Sequence, residues 1–152
     1  MYKLRVFNSQ DSKGVKELIL SILTKEYPFD KSAYSDSDLD KINETYGGKK
    51  DSFLVVEEDG SIVGTVGVKE DGIDSALLRR LFVDLKHRKK GYGSELLDKA
   101  ISFCKDKGYK AVYFRCTDRM KDAMNLCVRK GFKEIEALEI SGFKIHNLEL
   151  KL

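Results

Sequence analysis

Between Leu77 and Gly93 the chain reads L-L-R-R-L-F-V-D-L-K-H-R-K-K-G-Y-G, and a helical pattern opens at Ser94. The first part, Ala76 to Val83, is an apolar and β-branched run of the length of a buried strand. It turns through a cationic, glycine-bearing loop that runs straight into the helix. Such a strand, loop and helix N-terminus make an anion site, because unpaired backbone N–H groups converge where the helix dipole is positive. Gly91 and Gly93, lacking Cβ, let the backbone approach a diphosphate closely, while Arg88, Lys89 and Lys90 add charge-assisted contacts. The guest expected of this loop is a pyrophosphate. It is not a Walker loop, since G-x-x-x-x-G-K-[ST] is absent, and G-Y-G-S-E-L lacks the third glycine of the Rossmann fingerprint.

The rest of the chain must be arranged around that unit. Its 152 residues suit a single domain, 1–152, with one hydrophobic core. A net charge of +3 is too small to argue for nucleic acid, but its distribution is uneven. Arg79 to Lys90 carries six Lys or Arg against one Asp, whereas Glu26 to Tyr46 carries six carboxylates against two Lys. The opening M-Y-K-L-R-V-F lacks the apolar core of a signal peptide and no run has the length of a membrane span, so a cytoplasmic protein with no membrane partner is expected. Cys104, Cys116 and Cys127 form no C-x-x-C pair and have no His at metal spacing, which argues for reduced, mostly buried thiols and no metal.

Periodicity supplies the elements in order. Lys3 to Phe7 alternates as a short strand. Asp11 is placed to cap a helix with Val15, Leu18, Ile19, Ile22 and Leu23 on one face, stopped by Pro28. Ser37 or Asp36 is placed to cap a shorter helix with Leu39, Ile42 and Tyr46 inward, ended by Gly47 and Gly48. Ser52 to Glu57 and Ser61 to Lys69 are strands joined by the hairpin signal E-D-G, and Ala76 to Val83 follows after another turn. The helix Ser94 to Lys107 buries Leu96, Leu97, Ala100, Ile101 and Cys104, with Glu95 and Lys99 spaced to pair. As a crossover it makes the next strand, Ala111 to Thr117, parallel to Ala76–Val83. Asp118 is placed to cap a last helix with Met120, Ala123, Met124 and Cys127 inward, and two strands, Phe132 to Ile140 and Phe143 to Leu150, close the chain.

With its R-x-x-G-x-G spacing at Arg88, Gly91 and Gly93 and this element order, the chain resembles the GNAT superfamily of N-acetyltransferases. The resemblance covers the whole chain. It implies an α/β (α+β) GNAT fold, a mixed twisted sheet in the order β-α-α-β-β-β-α-β-α-β-β, with acetyl-CoA as acyl donor. It places the pyrophosphate on Arg88, Lys89, Lys90, Gly91, Tyr92, Gly93 and Ser94. The pantetheine arm would pair with the main chain of Phe82 and Val83, where the family's fourth strand splays from the fifth. A-M-N-L-C-V-R-K-G-F, Ala123 to Phe132, is similar to the family's closing motif, but Cys127 stands where many members have a Tyr that protonates the leaving thiolate, and Met120 where many have an Asn. Cys127 is therefore the candidate acid, the alternatives being a small buried hydrophobe there and a proton from solvent.

The Glu that some members carry on the fourth strand is missing; Arg79 and Arg80 stand there instead. Strand alternation sends one of them, taken as Arg79, into the acceptor cleft, where it suits a carboxylate; an ion pair with a neighbouring strand is the competing reading. Glu26, Tyr27, Phe29, Asp30 and Tyr34 are candidates for selecting an amine, whereas Asp36, Asp38 and Asp40 read as a solvated helix face. His87 and His146 read as solitary. The implied activity is transfer of acetyl from acetyl-CoA to a primary amine of a small molecule or peptide by direct attack. An acyl-CoA-binding module without transferase activity is the alternative, raised by the missing Tyr, Asn and Glu. The final strands, as sheet edges, allow a homodimer.

Overall fold

The computed structural model describes residues 1–27 and 38–152. Pro28, Phe29, Asp30, Tyr34, Asp36 and Ser37, which figure in the expectations above, lie outside the described residues. In chain order, β1 (Tyr2–Val6) precedes α1 (Ser12–Lys25) and the single turn α2 (Ile42–Thr45). Three strands follow, β2 (Ser52–Glu58), β3 (Ser61–Glu70) and β4 (Ser75–Val83). Next come α3 (Tyr92–Asp106), β5 (Ala111–Thr117), α4 (Lys121–Arg129), β6 (Lys133–Ile140) and β7 (Phe143–Lys151). The sheet order is β1-β2-β3-β4-β5-β7-β6, with β4 and β5 parallel and the other pairs antiparallel.

Local chemistry explains much of this. Asp59 and Gly60 take φ of 51° and 85°, the left-handed pair that a two-residue hairpin loop requires, so E-D-G turns β2 directly into β3. α1 buries Val15, Leu18, Ile19, Ile22 and Leu23, the stripe its period dictates. On α3 Leu96, Leu97, Ala100 and Cys104 are buried and Ile101 partly so. All three cysteines are buried thiols.

The helix ends depart from expectation. Asp11 does not cap α1: its carboxylate is drawn to Arg5 at 2.7 and 2.9 Å, and Asn8 caps the preceding 3₁₀ turn instead, accepting the Gln10 N–H. Asp118 does not cap α4, whose N-cap position falls on Met120 with no side-chain cap bond. Glu95 accepts from the Tyr2 hydroxyl at 2.9 Å, across the sheet edge. The second helix shrinks to Ile42–Thr45, although Leu39, Ile42 and Tyr46 are buried as their spacing suggests.

Candidate functional site

The pairing of β4 with β5 runs from Ser75↔Ala111 to Leu78↔Phe114 and stops, although β4 continues to Val83 and β5 to Thr117. A bulge lies just beyond. Against β3, Thr65 faces Phe82 but Gly67 faces Arg79, so β4 carries the extra residue. Arg80 absorbs it with φ of 57°, and its C=O accepts a hydrogen bond from the buried Thr65 hydroxyl at 2.7 Å. Further along, the Asp84 N–H donates to the Val63 carbonyl at 2.8 Å. By strand alternation the N–H and C=O of Val83 therefore turn away from β3, toward the opening between β4 and β5.

α3 starts at Tyr92, ahead of the expected Ser94, because Gly91 serves as N-cap with a left-handed φ of 85° that a residue bearing Cβ adopts only under strain. The Glu95 N–H closes the first turn on the Gly91 carbonyl at 3.0 Å, which leaves the N–H groups of Tyr92, Gly93 and Ser94 without a helical acceptor. These residues line a cavity of about 390 Å³ together with Phe82, Val83, Arg88, Lys89 and Gly91. A Cβ on Gly91 would meet nothing within 4 Å, whereas one on Gly93 would sit 3.1 Å from Leu126 on α4. One glycine thus leaves room for a guest and the other lets two helices touch.

The cations of the loop are distributed otherwise than its sequence suggests. Arg88 forms a fork with Glu26 at 2.6 and 2.8 Å, and its Nε donates to the Val83 carbonyl at 2.9 Å. Lys90 does not line the cavity and lies 3.2 Å from Glu58. Glu58 also accepts from the Tyr92 hydroxyl and lies 2.9 Å from His87 Nε2, while His87 Nδ1 is 2.7 Å from Asp84. His87 is therefore a bridge between two carboxylates and not a solitary loop residue. The bond to Glu58 pushes the Tyr92 hydroxyl up to about 12 and, in return, holds the Glu58 carboxyl below its ordinary range. Lys89 and Arg129 line the cavity with no ion pair among the described residues. Arg129 and Glu58 were not singled out from sequence, and Glu26, expected to help select an amine, is instead held by Arg88 and does not line the second cavity; no local spacing links the three to the loop. His146 is likewise partnered, by Glu134.

A second cavity, of about 720 Å³, occupies the gap between β4 and β5, and Leu81, Phe82 and Met120 line both. Arg79 and Arg80 line the second. Arg80 is bound by Asp38, each side chain only 4% exposed, and Asp38 also accepts from the Tyr46 hydroxyl at 2.7 Å. Asp38 is thus no part of a solvated face; Asp40, by contrast, is exposed and meets Lys16 at 2.6 Å. Burial pushes the Asp38 carboxyl up, but the bonds from Arg80 and Tyr46 and the charges of Arg80 and Arg79 outweigh it and hold it below the usual carboxylate range. Tyr46 is raised by burial and by Asp38. Both arginines act on one cluster, so the expected division between opposite faces fails: the bulge breaks the alternation on which it rested.

Other candidates fall differently. Tyr27 lines the first cavity, beside the loop, and not the second; Phe29 lies outside the described residues. Cys127 is fully buried on α4, lines neither cavity, and burial pushes its thiol up to about 12. That placement is the small-hydrophobe alternative, not a proton donor's. Cys127→Ala is expected to leave kcat within about twofold and to cost only about 1 kcal/mol of stability. A hundredfold loss of kcat with an unchanged melting temperature would restore a catalytic thiol.

A sheet opened between two parallel strands beside a helix N-terminus is the arrangement that the GNAT resemblance implied. The chain belongs to the Acetyltransferase (GNAT) family, whose sequence profile matches residues 16–132. The Xenopus tropicalis "Probable N-acetyltransferase camello" is 35% identical over 96 residues, 62% of this chain and 43% of that protein. The Escherichia coli (strain K12) "Uncharacterized N-acetyltransferase YjgM" is 27% identical over 146 residues, 91% of this chain and 87% of that one. The chain spans less than half the length of camello and of the Homo sapiens "N-acetyltransferase 8", at 43% and 46%. In fold, the crystal structure of a GNAT-family acetyltransferase from Staphylococcus aureus Mu50 matches with a TM-score of 0.86 at 24% identity, over 99% of this chain and all of that one.

Proposed function

We propose that residues 1–152 form a single acetyltransferase domain that moves an acetyl group from acetyl-CoA to a primary amine of a small molecule or peptide. The observation that carries this reading is the meeting of the two cavities at Leu81, Phe82 and Met120. A donor in the first and an acceptor in the second come together there, so proximity supplies much of the rate. The residues fit the donor: Gly91 leaves open space at the head of α3, three N–H groups await an anion, and Lys89 and Arg129 add charge. Acetyl-CoA brings a thioester that a neutral amine attacks directly; the C–N bond forms, the C–S bond breaks with its electron pair leaving on sulfur, and the proton that the nitrogen gives up passes through solvent to the thiolate. Val83 presents main chain to the pantetheine arm and its outward N–H meets the charge that develops on the acyl oxygen, whereas Phe82, whose N–H and C=O face Thr65 on β3, contributes only its side chain to the wall between the two cavities. Arg88 acts by positioning, tying the end of β4 to the end of α1 through Glu26.

No Asp or Glu lines the second cavity among the described residues, so the acceptor ammonium gives its proton to solvent before it attacks. The rising limb of kcat/KM with pH is expected to follow the acceptor's own pKa, about 8 for a chain-terminal α-amine and about 10.4 for a lysine side chain. A limb that keeps one midpoint for every acceptor would mean a side-chain base. The same reading places the protein in the cytoplasm; among the described residues no helix is long and apolar enough to cross a membrane. It places a homodimer contact on β6, the outer strand, where Ile135, Leu138 and Ile140 are about half exposed.

The buried Cys127 and the absence of a carboxylate from the second cavity's described lining favour the second reading, a module that binds acyl-CoA without turnover. Calorimetric titration with acetyl-CoA, with CoA and 3′-dephospho-CoA as competitors, tests the shared site. Free-thiol release with an amine panel then separates the two: binding without release above background leaves only the module.

A further inference from the structure

The second cavity has an unusual charge balance. Arg79, Arg80 and Arg115 line it and, among the described residues, no carboxylate does. Arg80, also in the lining, is neutralised by its buried ion pair with Asp38. Arg115 stands half exposed at the rim in an ion pair with Asp71 at 3.7 Å, which offsets its charge in part. Arg79 is partly buried and makes no hydrogen bond or ion pair among the described residues; its charge acts only at longer range on the Asp38–Tyr46 pair, which Arg80 already satisfies. The other walls are apolar, with Leu81, Phe114, Ile140, Phe143 and Ile145 prominent.

A purely cationic amine entering this space would face uncompensated guanidinium charge with no acid to receive it. An amine that carries its own carboxylate reverses that balance, since a partly buried guanidinium gains a bidentate, charge-assisted partner. We propose that the acceptor is a zwitterion, a free amino acid with an apolar side chain, whose carboxylate binds Arg79 and whose side chain occupies the apolar wall of the second cavity. This rests on the acyl-transfer reading above and narrows it. Such an acceptor also presents its carboxylate and amine close together, so Arg79 orients the nucleophile as well as selecting it. Arg115, at the rim, adds long-range attraction for the same anion.

The test compares phenylalanine, phenylalanine amide, phenethylamine and an N-terminal phenylalanyl peptide as acceptors, with thiol release as readout. Phenylalanine is expected to exceed both its amide and phenethylamine at least about 100-fold in kcat/KM, in line with one buried bidentate contact. Arg79→Gln should raise KM for phenylalanine at least about tenfold and shrink the acid-to-amide ratio toward one, with Arg79→Lys restoring part of it. Acetyl-CoA affinity, measured by calorimetry on the same variants, checks that the donor site is intact. Equal turnover of phenylalanine and phenethylamine, preference for the peptide, or an unchanged acid-to-amide ratio in Arg79→Gln would overturn the zwitterion while leaving acyl transfer standing. Bound acetyl-CoA with no release from any of the four would overturn both.

Discussion

Gly91→Glu is expected to abolish measurable acetyl-CoA binding, a loss of at least about 1,000-fold, while the protein still folds. Two effects combine. Any side chain at a φ of 85° carries a strain of roughly 1 kcal/mol or more. The larger effect is electrostatic: a carboxylate beside the free N–H groups of Tyr92, Gly93 and Ser94 occupies the anion's place and repels a pyrophosphate with like charge. Gly91→Ala separates the two, because its Cβ meets nothing within 4 Å and adds strain alone. It should lose a few degrees of melting temperature and keep binding within about tenfold. Wild-type affinity in a folded Gly91→Glu variant would remove this loop from the donor site.

Asp38→Ala should be the most destabilising single change near the site. It leaves Arg80 buried without a counter-charge and Tyr46 without its acceptor, a loss of about 3–5 kcal/mol. For a chain of 152 residues that is a fall of roughly 10 °C in melting temperature. Replacing both partners, as in Asp38→Leu with Arg80→Met, should recover much of it, because the lone charge goes too. The sign of the pH dependence is set by the same pair. The Asp38 carboxyl lies below its ordinary value of 3.8 in the folded protein, so its stabilisation is complete above that pH and is lost as pH falls through the lower folded value. Thermal unfolding from pH 6 down to 2 should show an acid limb that Asp38→Ala lacks. A melting temperature unchanged within 2 °C in that variant would mean the pair contributes nothing.

What was legible in the sequence was what depends on neighbours along the chain. Helical stripes such as Val15 to Leu23, the turn at Asp59-Gly60 and the glycine-bearing loop after Val83 each carry their signal within a few residues, and the strand and helix order followed from them. What depends on cross-strand register was hidden. The bulge at Arg80 arises because β3 and β4 differ by a residue between Thr65–Gly67 and Arg79–Phe82, and no composition of β4 alone announces it. With the bulge went the assignment of Arg79 and Arg80 to opposite faces and of Asp38 to solvent. Arg88 read as a phosphate ligand because its nearest charges in sequence are all positive; its partner Glu26 is 62 residues away. Cys127 could be placed on the inner face of its helix by period, but only packing against the sheet shows that this face is closed.

The partition between the two cavities is shared property. Leu81, Phe82 and Met120 each touch both chambers, so under the proposed acyl transfer a change of bulk at any of them alters the fit of donor and acceptor together. The β6–β7 turn, through Ile140, Ser141 and Phe143, touches the second chamber alone. Under that reading, substitutions in the hairpin change the acceptor chamber without touching the donor's, whereas changes in the partition or at Gly91 reach the donor as well.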